Sequence, residues 1–206
     1  MKIINLIEHS KVYTSNVYLV LGSYNSLDAV NTLVDVGADI GIIEKLHNMH
    51  TGIGKQKVER VVLTHQHYDH TVILPEIRKV FKPQVYAYSP TLHGVDTLVK
   101  DGDMLTMGDQ VFEVIHTPGH SHDSICLYCE NDGILFVGDT PVIIRSPNGT
   151  FGEGIVHLLQ RLVRKDVKKI YFGHGPPVTK GAKDILYNSL DNVRMSKSTR
   201  ANNAID

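Results

Sequence analysis

The sequence predicts an α/β chain folded as a four-layer sandwich, two facing sheets with helices outside. Three observations predict it. Short β-branched runs alternate with helical apolar patterns along the chain. The two halves share one order: strands, then a helix, then a strand ending in residues able to bind metal. Those residues follow strand ends in separate segments, so facing sheets would gather them on loops along one edge. Residues 1–206 read as a single domain.

The elements follow in order. Residues 1–8 read as a first strand, because Asn5 interrupts the apolar run, Glu8 closes it and no small-residue cleavage site follows. Residues 17–21 and 32–36 are strands. Residues 39–50 are a helix with Asp39 as its N-cap. Residues 58–63 form an apolar strand running into the first histidine cluster, 74–81 a helix and 84–88 a strand. Short strands at 104–106, 111–116, 124–129 and 134–137 are punctuated by Asp101-Gly102, Gly108-Asp109 and Asp132-Gly133. Residues 153–164 are an amphipathic helix with Ile155, Val156, Leu158, Leu159 and Leu162 at helical spacing. A strand at 167–172, a final helix at 180–195 and a polar tail complete the chain. No internal repeat of high identity and no low-complexity linker interrupts it.

A net charge of −1 and a pI near 6.9 give no electrostatic reason to expect nucleic acid as a partner. Arg161, Arg164, Lys165, Lys168 and Lys169 read as the solvated end of a helix. No apolar run approaches the about 20 residues of a membrane span. The expected setting is therefore cytoplasmic. The two cysteines, Cys126 and Cys129, have the spacing of a redox or zinc pair, but three residues apart on a strand they point to opposite faces. Packed thiols suit a reducing compartment. Oligomeric state leaves no readable trace.

Seven side chains in four segments carry the chemistry. Thr64-His65-Gln66-His67-Tyr68-Asp69-His70 offers four, and His120, Asp139 and His174 follow in Pro118-Gly119-His120, Gly138-Asp139 and Gly173-His174-Gly175. Five imidazoles and two carboxylates exceed one tetrahedral ion and suit two ions with a bridge. His65 and His67, two apart on an extended stretch, can share one ion, and Asp69 and His70 can turn to a second. The carboxylate of Asp139 can join two cations. Packed together without a cation, these imidazoles would repel on protonation and be costly to bury. Two divalent ions are expected, zinc first, with iron or manganese compatible with the mixed donors. His9, His47, His50, His93, His116, His122 and His157 lack ligand spacing.

In this order the four motifs resemble the metallo-β-lactamase-fold superfamily, and most of all its glyoxalase II-like hydrolase branch. The resemblance runs from the early strands to Gly175. It implies an αββα sandwich, with His65, His67 and His120 on one metal, Asp69, His70 and His174 on the other, and Asp139 bridging. It also implies that Asp35, in Asp35-Val36-Gly37, supports the metal site from behind; without it, Asp35 reads as a turn residue. The chain departs from the pattern in three places. Thr71-Val72-Ile73 stands where a Gly-Gly pair often follows His70. The segment 145–149 matches poorly the Gly-Arg that often follows the Asp139 motif. Only 31 residues follow Gly175, which argues against a full glutathione-gripping helical region.

The implied activity is hydrolysis of an ester, thioester or lactone carbonyl of a small molecule by a hydroxide held between two metals. Asp69 would orient that hydroxide, and Tyr68 reads equally as an oxyanion donor or a packed ring. Asp139 in place of cysteine speaks against a β-lactamase of the best-known kind, and Gln66 in place of glutamate against a diiron flavoprotein. A persulfide dioxygenase with one iron on a subset of these residues, a phosphodiesterase and a non-catalytic metal-binding protein stay open as alternatives.

Overall fold

The first strand pairs antiparallel with the second and ends in a turn at Asn5, whose side chain accepts a hydrogen bond from the Ile7 amide. The computed structural model describes residues 1–23, 28–52 and 54–202, with side chains of the last helix described to Ser196. The first sheet holds β1 (Lys2–Asn5), β2 (Tyr18–Leu21), β3 (Thr32–Val34), β4 (Arg60–Val62), β5 (Gln84–Ala87) and β6 (Thr97–Leu98), side by side in chain order. The pairs β1·β2 and β2·β3 are antiparallel, and the rest of this sheet is parallel. Helix α1 (Ile42–Asn48) crosses from β3 to β4; α2 (Tyr68–Thr71) and α3 (Leu74–Phe81) cross from β4 to β5.

The second sheet holds β7 (Met104–Met107), β8 (Gln110–His116), β9 (Ile125–Cys129), β10 (Ile134–Gly138) and β11 (Lys169–Phe172), in the order β11-β10-β9-β8-β7. Only β10·β11 is parallel among its pairs, because α4 (Glu153–Val163) intervenes and returns the chain in the same direction. Helix α5 (Ala182–Asn202) follows.

Neighbouring residues of one strand feed different cores, which sets the layers. Leu19, Leu33 and Val61 pack with Ile42, Leu46 and Ile77 under the first pair of helices. Val20, Val34 and Val62 turn the other way and meet Val114, Leu127 and Phe136 of the second sheet. Cys126, Leu135 and Val137 face Leu158, Leu159, Leu162 and Leu186 of α4 and α5. The result is the four-layer αββα sandwich. A sheet covered on both faces needs apolar residues at both parities, so the central strands read as continuous apolar runs. Each fully buried side chain such as Leu127 or Phe136 contributes roughly 1.5–3 kcal/mol.

Several expectations are corrected. Asp39 does not cap α1, which starts at Ile42; its Oδ1 accepts from the Gly41 amide and its Oδ2 from the Ser10 hydroxyl, closing a turn before the helix. β3 stops at Val34 because Asp35 adopts a left-handed backbone, φ 58. The last helix runs from Ala182 to Asn202, through residues read as a polar tail. β6 was not anticipated. Cys126 and Cys129 do lie on opposite faces of β9, in separate cores, both as free thiols. Among the described residues no helix is long and apolar enough to cross a membrane.

Candidate metal centre

Strand ends place the seven side chains. Leu63 still donates to the Tyr86 carbonyl at 2.9 Å, so the chain leaves β4 extended and carries His65 and His67 onto the sheet edge. His67 keeps extended backbone, and the chain then turns into α2 with Asp69 and His70 on it. The amides of Val36 and Gly37 donate to the His70 carbonyl at 3.0 and 3.1 Å, fastening that turn beneath Asp35. His120 enters from the loop between β8 and β9, Asp139 from the end of β10, and His174 from the end of β11.

These side chains form three overlapping groups whose candidate donor atoms lie within 4.8 Å of one another: His65, His67 and His120; His65, His70 and Asp139; Asp69, His70 and His174. Asp139 stands between the outer groups. Its Oδ2 is 3.6 Å from His120 Nε2 and 3.5 Å from His174 Nε2, and its Oδ1 is 3.4 Å from His70 Nε2. Asp69 Oδ2 is 3.0 Å from His174 Nε2. Burial falls off across the cluster: His70 is fully enclosed, while His120 and His174 are 30% and 37% exposed and form the open lip. None of the seven remaining histidines joins a group among the described residues; His116 instead stacks on Tyr88 at 3.9 Å.

Hydrogen bonds behind the cluster fix which nitrogen faces inward. Asp35 is a carboxylate that can only accept. Its Oδ1 takes the Thr64 amide at 2.7 Å, and its Oδ2 takes the Thr64 hydroxyl and His70 Nδ1, both at 2.8 Å. The Thr64 hydroxyl, its proton spent on Asp35, accepts from His65 Nδ1 at 3.1 Å. Both buried histidines therefore hold their protons on Nδ1 and turn Nε2 toward the cluster. There His65 Nε2, His70 Nε2 and Asp139 Oδ1 are buried without a hydrogen-bond partner. Three buried polar atoms without a hydrogen-bond partner, within 4.8 Å of one another, are costly unless an ion meets them, and imidazole nitrogen with carboxylate oxygen suits a divalent metal. The residues fit the group.

The charges agree. Burial pushes His65 down to about 4, so it is neutral at pH 7. His120 is also lowered, chiefly by burial. Burial opposes ionisation of Asp139, but His70 and the other imidazoles outweigh it and bring the carboxyl down to about 2.

A family model described as the metallo-beta-lactamase superfamily matches residues 11–174. The chain belongs to that superfamily. Solved members share the fold: an archaeal superfamily protein from Sulfolobus tokodaii (20% identity, TM-score 0.59, 86% of this chain and 79% of that one) and the BLEG-1 B3 metallo-beta-lactamase (22%, 0.62, 88% and 94%). The flavodiiron protein of Giardia intestinalis aligns with TM-score 0.67 at 19% identity, covering 89% of this chain and 52% of that one. Curated relatives are named hydroxyacylglutathione hydrolase. The one from Maricaulis maris is 36% identical over 118 residues, 54% of this chain and 46% of its own length; the one from Francisella tularensis subsp. novicida is 36% identical over 88 residues, 42% and 35%. The matched segments span less than half the length of these relatives.

Within this member of the superfamily, three contributors escaped sequence reasoning. Thr64 links Asp35 to His65, although the motif signalled only its neighbours. Gly173 sits so close that a Cβ there would lie 2.1 Å from Asp139 Oδ1. Asn16 binds the loop that carries His174. Tyr68 is 73% exposed, so packing does not account for it.

Proposed function

We propose that the protein is a metal-dependent hydrolase of small-molecule esters, thioesters or lactones. The observation that carries this reading is the convergence of His65 Nε2, His70 Nε2 and Asp139 Oδ1, buried without hydrogen-bond partners, with Asp139 between two further sets of donors. His65, His67 and His120 would hold one cation and Asp69, His70 and His174 a second, with Asp139 shared; zinc suits these donors, and iron or manganese is compatible. Bound there, the cations supply Lewis acidity and ionise water near neutral pH.

The chain's own groups do the rest. Asp35 and Thr64 lock His65 and His70 in the tautomer that presents Nε2. Asp69, 19% exposed at the open side, accepts a hydrogen bond from the attacking water and aligns it. Tyr68, the exposed neighbour of Asp69 in sequence, would donate its phenol proton toward the oxygen that becomes negative as the carbonyl is attacked. Thioesters lead the substrate class because the curated relatives are named for one. The loop around Tyr13, whose ring stacks on His174 at 5.7 Å, edges the opening and would select among substrates, and we propose the segment 145–151 as a second selector. Two free buried thiols suit a cytoplasmic setting.

Elemental analysis of purified protein, followed by a panel of a hydroxyacylglutathione thioester, lactones and phosphodiesters, tests this. Turnover of a carbonyl substrate that is lost in Asp69→Ala supports it. Phosphodiester cleavage, oxygen uptake with glutathione persulfide, or bound metal with no turnover would each replace it with one of the alternatives.

A further inference from the structure

His174 lies on a loop flanked by two glycines, outside any helix or strand, its side chain 37% exposed and its ring against those of Tyr13 and His70. One buried side chain grips the backbone of that loop. Asn16, 5% exposed, sends its Nδ2 to the Phe172 carbonyl at 2.9 Å and to the Gly175 carbonyl at 2.8 Å. Its own amide donates to the Gly173 carbonyl at 2.6 Å. Three carbonyls bracketing His174 are thus read by one residue. The amide cannot flip, because Asn5 Nδ2 donates to Asn16 Oδ1 at 2.9 Å and a flip would set donor against donor and oxygen against two carbonyls. The Tyr18 hydroxyl adds a bond to the Phe172 carbonyl at 3.0 Å. Next to Asn16, the Ser15 amide donates to the Asp69 carbonyl at 3.1 Å. The approach to β2 therefore grips two of the three members of the Asp69–His70–His174 group. Among the described residues, no hydrogen bond from Asn16 goes to His65, His67 or His120.

We propose that Asn16, oriented by Asn5, is the positioning residue that sets His174 for the second cation and leaves the first untouched. This rests on the reading of His174 as a metal ligand. The metal-free protein is titrated with Zn2+ by calorimetry, with elemental analysis of the products, in wild type, His174→Ala, Asn16→Asp and Asn5→Ala. Asn16→Asp keeps the shape but turns an oxygen onto the two carbonyls. The expected result is a second-ion affinity about 10–100-fold weaker in Asn16→Asp, as for other groups that orient metal ligands, a smaller loss in Asn5→Ala, and an unchanged first ion in both. Folded Asn16→Asp that binds both ions as tightly as wild type, or that weakens both equally, overturns the proposal. Should Asn16→Asp not fold, Asn5→Ala decides by the same comparison. Wild-type protein that takes up one ion, or His174→Ala that keeps two, overturns the ligand reading itself and the role of Asn16 with it.

Discussion

Asp35 Oδ2 lies 2.8 Å from His70 Nδ1, and both side chains are shut away from solvent. The same carboxylate reaches His65 through the Thr64 hydroxyl. One residue, held in the left-handed region at a cost of about 1–3 kcal/mol, therefore orients a histidine in each proposed metal group. Asp35→Ala should weaken both ions by about 10–100-fold in a competition titration with a chromophoric chelator. An effect confined to one ion would show that the Thr64 link carries no weight.

His70 predicts a pH dependence of the metal-free protein. Burial disfavours its charge, but Asp35 and Asp139 outweigh that and raise its pKa to about 10, against an ordinary 6.5. A folded value above the unfolded one gives stability that is complete below about 6.5, shrinks as pH rises and is gone above about 10. Thermal midpoints of metal-free protein should fall across that window, and His70→Gln should flatten the fall. A cation on Nε2 displaces the same proton, so metal uptake at pH 8 should release acid in a pH-stat. A flat profile with no proton release would refute the pairing.

The two glycines of the last motif differ in purpose: Gly175 takes a left-handed backbone, φ 81, whereas Gly173 makes room for its neighbours. Gly173 has ordinary backbone, but a Cβ there would stand 2.1 Å from Asp139 Oδ1 and 2.7 Å from His70 Cε1. Gly173→Ala must push one of them away, so the protein should fold but lose metal, seen as a metal-to-protein ratio well below wild type. Gly152→Ala, where nothing lies within 4 Å, is the control and should bind metal normally. Full metal content in folded Gly173→Ala would mean that Asp139 and His70 need not approach so closely.

Legibility followed the range of the interactions. Central strands showed as apolar runs because both sheet faces are covered, and the seven candidate donors showed because each follows a strand end in a short motif. β6 is two half-exposed residues, Thr97 and Leu98, too short for any periodicity. Asp39 looked like a cap because an aspartate that closes a turn before a helix has the same local sequence as one that caps it. Asn16 was illegible for a different reason: the carbonyls it binds lie 156 and 159 positions away. Thr64 was quoted in its motif, yet its role depends on Asp35, 29 positions earlier.

Cys126 and Cys129 supply a prediction that separates spacing from chemistry. Burial pushes the Cys126 thiol up to about 11 and raises Cys129 as well, so neither is a thiolate at neutral pH. Cys126 lies among the α4 and α5 side chains, its Sγ 3.8 Å from Thr117 Oγ1, while Cys129 faces Phe112 and Phe136 between the sheets. A redox pair needs two accessible sulfurs within bonding reach, and a strand that sends them to opposite faces denies both conditions. Native protein should therefore react with no thiol-specific reagent on a timescale of minutes, and denatured protein with two equivalents. Cys126→Ala and Cys129→Ala should lower the thermal midpoint through lost packing and leave metal content at the wild-type value. Rapid native labelling, or metal lost with either cysteine, would restore the redox or zinc reading that the spacing alone invites.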